Sequence, residues 1–172
     1  RNIYPSLCHT KRGEWKRETG FNLKGKRIGI LGLGSIGKEV IRLSKAFGLE
    51  VWGHDKYLDN DFFENHSLKK ANDVVELVKN VDILTLHLPL NEETKHIINK
   101  KVLSEASRNL VIVNTARGEL VDEDNLYECL KEERVKAYLA DVLKEEPMKE
   151  DYRLRSLENV YITPHIASRT IE

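Results

Sequence analysis

The stretch that decides the fold is Lys26-Arg-Ile-Gly-Ile-Leu-Gly32-Leu-Gly34-Ser-Ile-Gly37. Its first half is a continuous apolar run, typical of a strand covered on both faces of a parallel sheet. Its second half has GxGxxG spacing, in which Gly32 permits a tight turn, Gly34 admits a pyrophosphate and Gly37 lets a helix pack closely. We therefore predict a strand, then a helix whose first amides, near Ser35 and Ile36, face a phosphate group.

Similar apolar runs recur along the chain and alternate with segments of helical pattern. The predicted strands are residues 27–31, 50–53, 82–87, 110–114, 136–140 and 160–163. Such alternation predicts right-handed crossovers and a doubly wound parallel α/β sheet, the Rossmann architecture. Residues 1–25 do not follow this alternation. We expect them to form a lead-in helix and arm, with residues 26–172 as the dinucleotide-binding domain.

Three helices can be placed from apolar spacing and capping residues. Gly48 supplies a stop for the first, and Asp73 and Asp122 can cap the other two. The residues at helical spacing are Ile36, Val40, Leu43 and Phe47 in the first helix, Leu77 and Lys79 in the second, and Leu126, Cys129 and Leu130 in the third.

Composition limits the classes of protein. The 172 residues suffice for one core but not for two ordinary domains, and 40% apolar with 33% charged residues is typical of a soluble globular protein. Lys and Arg balance Asp and Glu at 28 each, and no basic cluster with interleaved aromatics is present, so nucleic-acid binding is not expected. Apolar runs stay far below the ~18 residues of a membrane span.

The cysteines and the first residues indicate the cellular context. Cys8 and Cys129 lie far apart without metal-type or CxxC spacing, which favours free thiols in a reducing cytoplasm and predicts no metal site. The chain starts at Arg1 without an initiator Met or a signal-peptide pattern. We therefore expect it to be an internal part of a longer protein.

Asp55 is the candidate for recognition of a nucleotide ribose. It follows the second predicted strand, eighteen residues after Gly37, close to the ~20 expected for an acid that binds the adenine ribose. Its carboxylate would repel a 2′-phosphate, which favours NAD over NADP. Lys56 is adjacent and weakens that preference.

Arg117 is the candidate for substrate binding. It follows the strand at 110–114, at the carboxyl edge where open α/β sheets bind ligands. Its guanidinium matches a carboxylate bidentately, and Gly118 would leave the approach clear. An ion pair with a surface acid such as Glu119 is the alternative.

His165 is the candidate acid–base group. It ends the last predicted strand, after Pro164, and imidazole exchanges a proton near neutral pH. Glu146, held before Pro147, would stabilise the imidazolium if the two side chains touch. The remaining histidines are interpreted as structural: His9, His54, His66, His87 and His96.

Five stretches together resemble the D-isomer-specific 2-hydroxyacid dehydrogenases, phosphoglycerate dehydrogenase among them. They follow the family order and extend from about Leu23 to Ala167. They are Leu23-Lys-Gly-Lys-Arg-Ile-Gly-Ile-Leu-Gly-Leu-Gly-Ser-Ile-Gly37, Leu86-His-Leu-Pro-Leu90, Asn114-Thr-Ala-Arg-Gly-Glu-Leu-Val-Asp122, Asp141-Val-Leu-Lys-Glu-Glu-Pro147 and Thr163-Pro-His-Ile-Ala167.

The resemblance implies NAD as cofactor and a D-2-hydroxy or 2-oxo acid, such as 3-phosphoglycerate or hydroxypyruvate, as substrate. It implies Arg117 as the anchor of the substrate carboxylate, His165 as acid or base, and Glu146 as its modulator. The other implied contacts are with NAD: Asp55 at the ribose, Asp141 at the nicotinamide end, and Leu88, Pro89, Thr115, Ala116 and Ala167 along the cofactor.

Departures from the family pattern qualify this interpretation. We expect the family's substrate-binding domain to lie outside this sequence, so that the chain is an excised cofactor domain, inactive alone. The resemblance also implies homodimers, because family members commonly dimerise through the cofactor domain. Ser107-Arg-Asn109 replaces the usual Lys-Pro-Gly turn, and Glu146 stands where formate-oxidising relatives have glutamine. An NAD(H)-sensing corepressor of the same family is the alternative function.

Overall fold

The computed structural model describes residues 2–57 and 60–169, which contain one seven-stranded sheet. All neighbouring strands are parallel, in the order β3-β2-β1-β4-β5-β6-β7. The strands are β1 (Arg27–Leu31), β2 (Glu50–His54), β3 (Lys69–Lys70), β4 (Ile83–Leu86), β5 (Val111–Asn114), β6 (Ala137–Ala140) and β7 (Val160–Ile162). The predicted doubly wound parallel sheet is confirmed, with the six predicted strands within one residue at each end.

One α-helix precedes the first strand, and the others connect the strands. They are α1 (Ile3–Lys11), α2 (Ser35–Ala46), α3 (Asn60–Asn65), α4 (Val74–Asn80), α5 (Lys100–Ser104) and α6 (Glu123–Lys131), with 3-10 turns at Gly118–Leu120 and Arg153–Ser156. The predicted caps are confirmed, because Asp73 accepts a hydrogen bond from the Glu76 amide and Asp122 from the Asn125 amide. The short elements β3, α3 and α5 were not predicted, since they hold too few residues to show a period.

The core lies on both faces of the sheet. The core has two apolar clusters. One contains Ile28 and Ile30 of β1 and Ile83 of β4, and the other contains Leu31 of β1 and Leu84 of β4. Successive side chains of a strand point to opposite faces, so each cluster covers one face. This double burial accounts for the unbroken apolar runs in the sequence.

The face that α2 buries differs from the prediction. Gly37, Ile41 and Ser44 are buried, whereas Ile36 and Phe47 are 66% and 62% exposed. A Cβ on Gly37 would lie 2.2 Å from the Gly32 carbonyl oxygen. This close backbone approach sets the rotation of α2 and turns the Gly37 face toward the sheet.

Within residues 1–25, Ile3–Lys11 form the helix α1, which has no buried residue. Tyr4 makes an edge-to-face contact with Tyr161 of β7, with ring centroids 6.3 Å apart. Trp15, in the following arm, is 85% exposed. The division at residue 25 between arm and domain stays a prediction.

The loop after β5 packs against the loop after β6 through Gly118. This glycine is buried, and a Cβ on it would lie 1.9 Å from the Leu143 carbonyl carbon and 2.2 Å from the Lys144 amide nitrogen. The expectation that Gly118 clears an approach for substrate is therefore wrong. Its missing side chain instead lets two backbone segments touch.

We expect Gly118→Ala to lower the free energy of unfolding by about 1–3 kcal/mol or more, because the new methyl group meets backbone that cannot rotate away. Chemical denaturation monitored by circular dichroism measures this. Gly34→Ala is the matched control, since a Cβ on Gly34 has nothing within 4 Å. Equal stability of the two variants would contradict the prediction.

Candidate active site

The candidate site residues follow the carboxyl ends of the strands. Because all strands are parallel, the loops that follow them emerge at one edge of the sheet. β1 and β4 are neighbours at the point where the chain reverses its direction across the sheet, which is where such folds bind ligands. The residues concerned are Gly32 after β1, Asp55 after β2, Leu88 after β4, Thr115 after β5, Asp141 after β6 and Thr163 after β7.

The turn from β1 to α2 fits a dinucleotide pyrophosphate. Gly32 has φ +92°, and a Cβ there would lie 2.8 Å from the His87 carbonyl oxygen. Gly34 is the N-cap of α2 without a side-chain hydrogen bond, and the space beside it is open. The first amides of α2, including those of Ser35 and Ile36, therefore adjoin a surface that an anion can approach.

A cleft of about 640 Å³ begins at this turn. It is lined by Gly32, Gly34, Asp55, Leu88 and Pro89, among others, so the structure brings five of the predicted cofactor residues together. Both carboxylate oxygens of Asp55 accept backbone hydrogen bonds, from Leu33 at 2.8 Å and from Tyr57 at 2.9 Å. The Asp55 carboxylate is thus fixed at the end of β2.

A second cavity, of about 660 Å³, contains His165 and Glu146. His165 Nδ1 lies 2.7 Å from Glu146 Oε2, and Glu146 Oε1 accepts a 2.8 Å hydrogen bond from the Leu143 amide. These two hydrogen bonds, with that to His165 first, hold the pKa of Glu146 below its usual value. An ionised carboxylate that engages Nδ1 leaves Nε2 as the nitrogen able to exchange a proton with a ligand.

Asp141 holds the loop that carries His165. Its Oδ1 accepts hydrogen bonds from the Thr163 hydroxyl at 2.5 Å and the Ile166 amide at 3.0 Å, and its Oδ2 accepts one from the Ala167 amide at 2.8 Å. Burial raises the pKa of Asp141, but these hydrogen bonds and the nearby His165 outweigh it, so the pKa is lowered. Within this loop His165 has φ +52°, in the left-handed region that few non-glycine residues adopt.

Arg117 lies in the loop after β5, which is shaped by the fully buried Asn114. The Asn114 amide group donates to the Arg117 carbonyl at 2.9 Å and contacts the Tyr138 hydroxyl at 3.3 Å, and its oxygen accepts from the Ala116 amide at 3.1 Å. The Arg117 guanidinium is exposed and donates to the Ala116 carbonyl at 2.6 Å. Within the described ranges it has no ion pair with Glu119 or another acid, which leaves its charge available to a ligand.

The remaining site residues lie apart from the two cavities. Ala116 and Arg117 line neither of them, and Thr115 borders a neighbouring groove with Asp141 and Thr163. His87 does line the first cleft, but burial lowers its pKa and the Thr85 hydroxyl lies 3.0 Å from its Nε2. A neutral imidazole is therefore expected there, in line with its structural interpretation.

Sequence reasoning missed the anchoring roles of Asn114 and Thr163. Both stand at or just after the end of an otherwise apolar strand, where a polar side chain can bond to the loop that follows. Asn114 is also buried and therefore needs such a partner. That position was the available signal. Among residues 2–57 and 60–169, no helix has the length and apolar character needed to cross a membrane, and no group of three metal-ligating side chains is assembled.

Comparison with known proteins agrees with this geometry. The model of the family described as "D-isomer specific 2-hydroxyacid dehydrogenase, NAD binding domain" matches residues 1–167. The chain is 44% identical to D-3-phosphoglycerate dehydrogenase of Methanocaldococcus jannaschii and 37% identical to hydroxypyruvate reductase of Thermotoga maritima, in each case over its whole length. It spans 33% and 56% of those two relatives, respectively.

A solved structure shows the same fold. Phosphoglycerate oxidoreductase from Vibrio cholerae superposes with a TM-score of 0.90 at 29% identity, covering 96% of this chain and 54% of that protein. The chain thus spans about a third to a little over half of the length of these proteins. The chain therefore belongs to the D-isomer-specific 2-hydroxyacid dehydrogenase family and comprises that family's NAD-binding domain.

Proposed function

We propose that the protein containing this chain is an NAD-dependent dehydrogenase that interconverts a D-2-hydroxy acid and its 2-oxo acid. The observation that carries the proposal is the 2.7 Å contact between His165 Nδ1 and Glu146 Oε2 beside a cavity at the carboxyl edge of the sheet. The names of the two relatives support 3-phosphoglycerate or hydroxypyruvate as substrate. No relative compared above is described as a corepressor, and no observation favours that function.

His165 is the proposed proton carrier. With Nδ1 engaged by Glu146, the imidazolium donates a proton from Nε2 to the oxygen that becomes the hydroxyl group during reduction, and neutral Nε2 accepts it during oxidation. The Glu146 carboxylate orients the ring through its 2.7 Å contact with Nδ1. The bound dinucleotide supplies or accepts the hydride.

Arg117 is the proposed carboxylate anchor. Its guanidinium offers a planar pair of donors to a substrate carboxylate and polarises the adjacent carbonyl. Because Asn114 fixes the Arg117 main chain, the side chain starts from a defined position. Orientation of this kind lowers the entropic part of the reaction barrier.

The cofactor contacts extend along the same edge. The amides of Ser35 and Ile36 bind the pyrophosphate, and Gly34 lets it approach. Gly32 and Gly37 allow the tight turn and the close packing of α2, and Asp55 binds the adenine ribose. Asp141 is proposed at the nicotinamide end, and the other proposed contacts along the cofactor are Leu88, Pro89, Thr115, Ala116, Arg117, His165 and Ala167. Open space beside Gly34 and the fixed Asp55 carboxylate support this placement.

In the intact protein, we expect Arg117→Ala and His165→Ala each to remove most activity while leaving NADH affinity nearly unchanged. Both residues act on the substrate rather than on the nucleotide end of the cofactor. Oxidation of NADH with hydroxypyruvate, pyruvate and 2-oxoglutarate measures this, with the exposed His66→Ala as control. Weak NADH binding by the Arg117 or His165 variants would contradict the assignment.

The isolated 172-residue chain should bind NADH but turn over 2-oxo acids poorly. Orientation of reactants contributes ~7–11 kcal/mol to lowering a barrier, so loss of part of it reduces the rate by orders of magnitude. We propose that a second domain supplies the opposing wall and excludes water. The same assay tests this, and turnover by the chain equal to that of the intact protein would disprove it.

We expect NADH to bind more tightly than NADPH, because Asp55 would repel a 2′-phosphate. Asp55→Asn keeps a similar shape without the charge and should narrow the ratio of the two affinities about tenfold. Calorimetry measures both affinities, and the fluorescence of Trp52, three residues before Asp55, offers a second readout. Asp151→Asn, exposed and outside the cleft, is the control; equal effects would refute the role of Asp55.

We also propose that the protein forms a homodimer through α1 and the arm. Ile3, Tyr4 and Leu7 of α1 are 53–66% exposed, and Trp15 is 85% exposed, so apolar surface is available for a second copy. Light scattering should show a dimer that Leu7→Lys weakens. A monomer at high concentration would contradict the proposal.

A cytoplasmic location is proposed as well. Cys8 and Cys129 are free thiols, and Cys129 is buried. Unpaired thiols are usual in a reducing compartment.

A further inference from the structure

An ion pair crosses one end of the first cleft, beside Asp55. Lys56 Nζ lies 2.7 Å from Glu93 Oε2, although the two residues are 37 positions apart in the sequence. Both residues line the cleft that also contains Gly34 and Asp55. The Lys56 ammonium, next to the proposed ribose-binding Asp55, is therefore already paired with the Glu93 carboxylate from the opposite side of the cleft.

The backbone is fixed at both ends of this ion pair. Asn91 Oδ1 accepts hydrogen bonds from the Glu93 and Thr94 amides at 3.0 Å each, and the Thr94 hydroxyl donates to the Pro89 carbonyl at 2.6 Å. On the other side Asp55 Oδ1 accepts from the Tyr57 amide. Exposed pairs are usually weak because two mobile side chains must be ordered, and a fixed backbone at each end reduces that cost.

The charged side chains that line the cleft balance one another. Asp55 and Glu93 contribute two negative charges, and Lys56 and Lys70 two positive charges, so the four sum to zero and would sum to +1 without Glu93. Lys70 donates to Asn60 Oδ1 at 2.7 Å. The hydrogen bond to Glu93 raises the pKa of Lys56. A charged Lys56 released from Glu93 would attract a phosphate on the neighbouring ribose hydroxyl.

We propose that Glu93 is a specificity-determining residue, which engages Lys56 and thereby withholds its ammonium group from a ribose 2′-phosphate. Asp55 repels that phosphate directly, whereas Glu93 pairs with Lys56, the nearest cation that could attract the phosphate. Together they restrict the cleft to dinucleotides with a free 2′-hydroxyl. This inference rests on the proposed binding of a dinucleotide adenosine in the first cleft.

The experiment compares NADH and NADPH affinities of the chain by calorimetry. Glu93→Gln should raise NADPH affinity about three- to tenfold, the size expected for one charge across a hydrated cleft, with NADH affinity nearly unchanged. Glu92→Gln is the matched control, because it removes the same charge one residue away, outside the cleft lining. Both side chains are exposed, so the fold should be retained, and thermal unfolding checks this.

A double variant tests whether Glu93 acts through Lys56. In the Lys56→Gln background, Glu93→Gln should no longer raise NADPH affinity. High salt should reduce the gain seen in the single variant, since the effect is electrostatic and exposed to solvent.

Several results would overturn the inference. They are an unchanged affinity ratio in Glu93→Gln, an equal gain in Glu92→Gln, and a gain that persists in the Lys56→Gln background. None of these results contradicts the proposed binding of NAD(H), provided that the wild-type chain binds NADH. A chain that binds neither dinucleotide would refute the proposed function and this inference together.

Discussion

The parallel direction of all seven strands is the constraint on which the rest of the structure depends. Parallel strands require a crossover between each pair, so every loop that follows a strand opens at the same edge. Residues far apart in the sequence, such as Gly32 and His165, are therefore presented to one side of the sheet. The same arrangement buries both faces of β1 and β4, which supplies the two apolar clusters that hold the loops in place.

Buried polar side chains convert this general edge into a specific site. Asn114 and Asp141 are 0% and 5% exposed, and each satisfies its polar atoms with the backbone of the loop it controls. Removing either would break hydrogen bonds that hold the loop carrying Arg117 or His165, so that loop would lose its defined conformation. The side chains of Arg117 and His165 are exposed, but the loops that carry them are held by the buried side chains of Asn114 and Asp141.

The sequence predicted those features that depend on local chemistry. β1, the GxGxxG turn, the caps at Asp73 and Asp122 and the stop at Gly48 follow from spacing and residue type, and the structure has each of them. The buried face of α2 could not be predicted from apolar spacing, because the backbone contact between Gly32 and Gly37 outweighs the burial of Ile36 and Phe47. The role of Gly118 was misjudged for a similar reason, since its partner Leu143 is brought close only by the folded sheet.

The ion pair at Lys56 shows why charge in a binding cleft cannot be judged one residue at a time. Taken alone, a lysine after Asp55 favours a phosphorylated ribose. The turn fixed by Asn91 and Thr94 places Glu93 against that lysine. The ion pair with Glu93 then offsets the attraction between the Lys56 ammonium and a ribose phosphate. Glu93 follows a different strand, β4, and reaches Lys56 because β2 and β4 flank β1 and end at the same edge. The constraint that assembles the proposed catalytic groups therefore also sets the charge at the nucleotide end of the cleft.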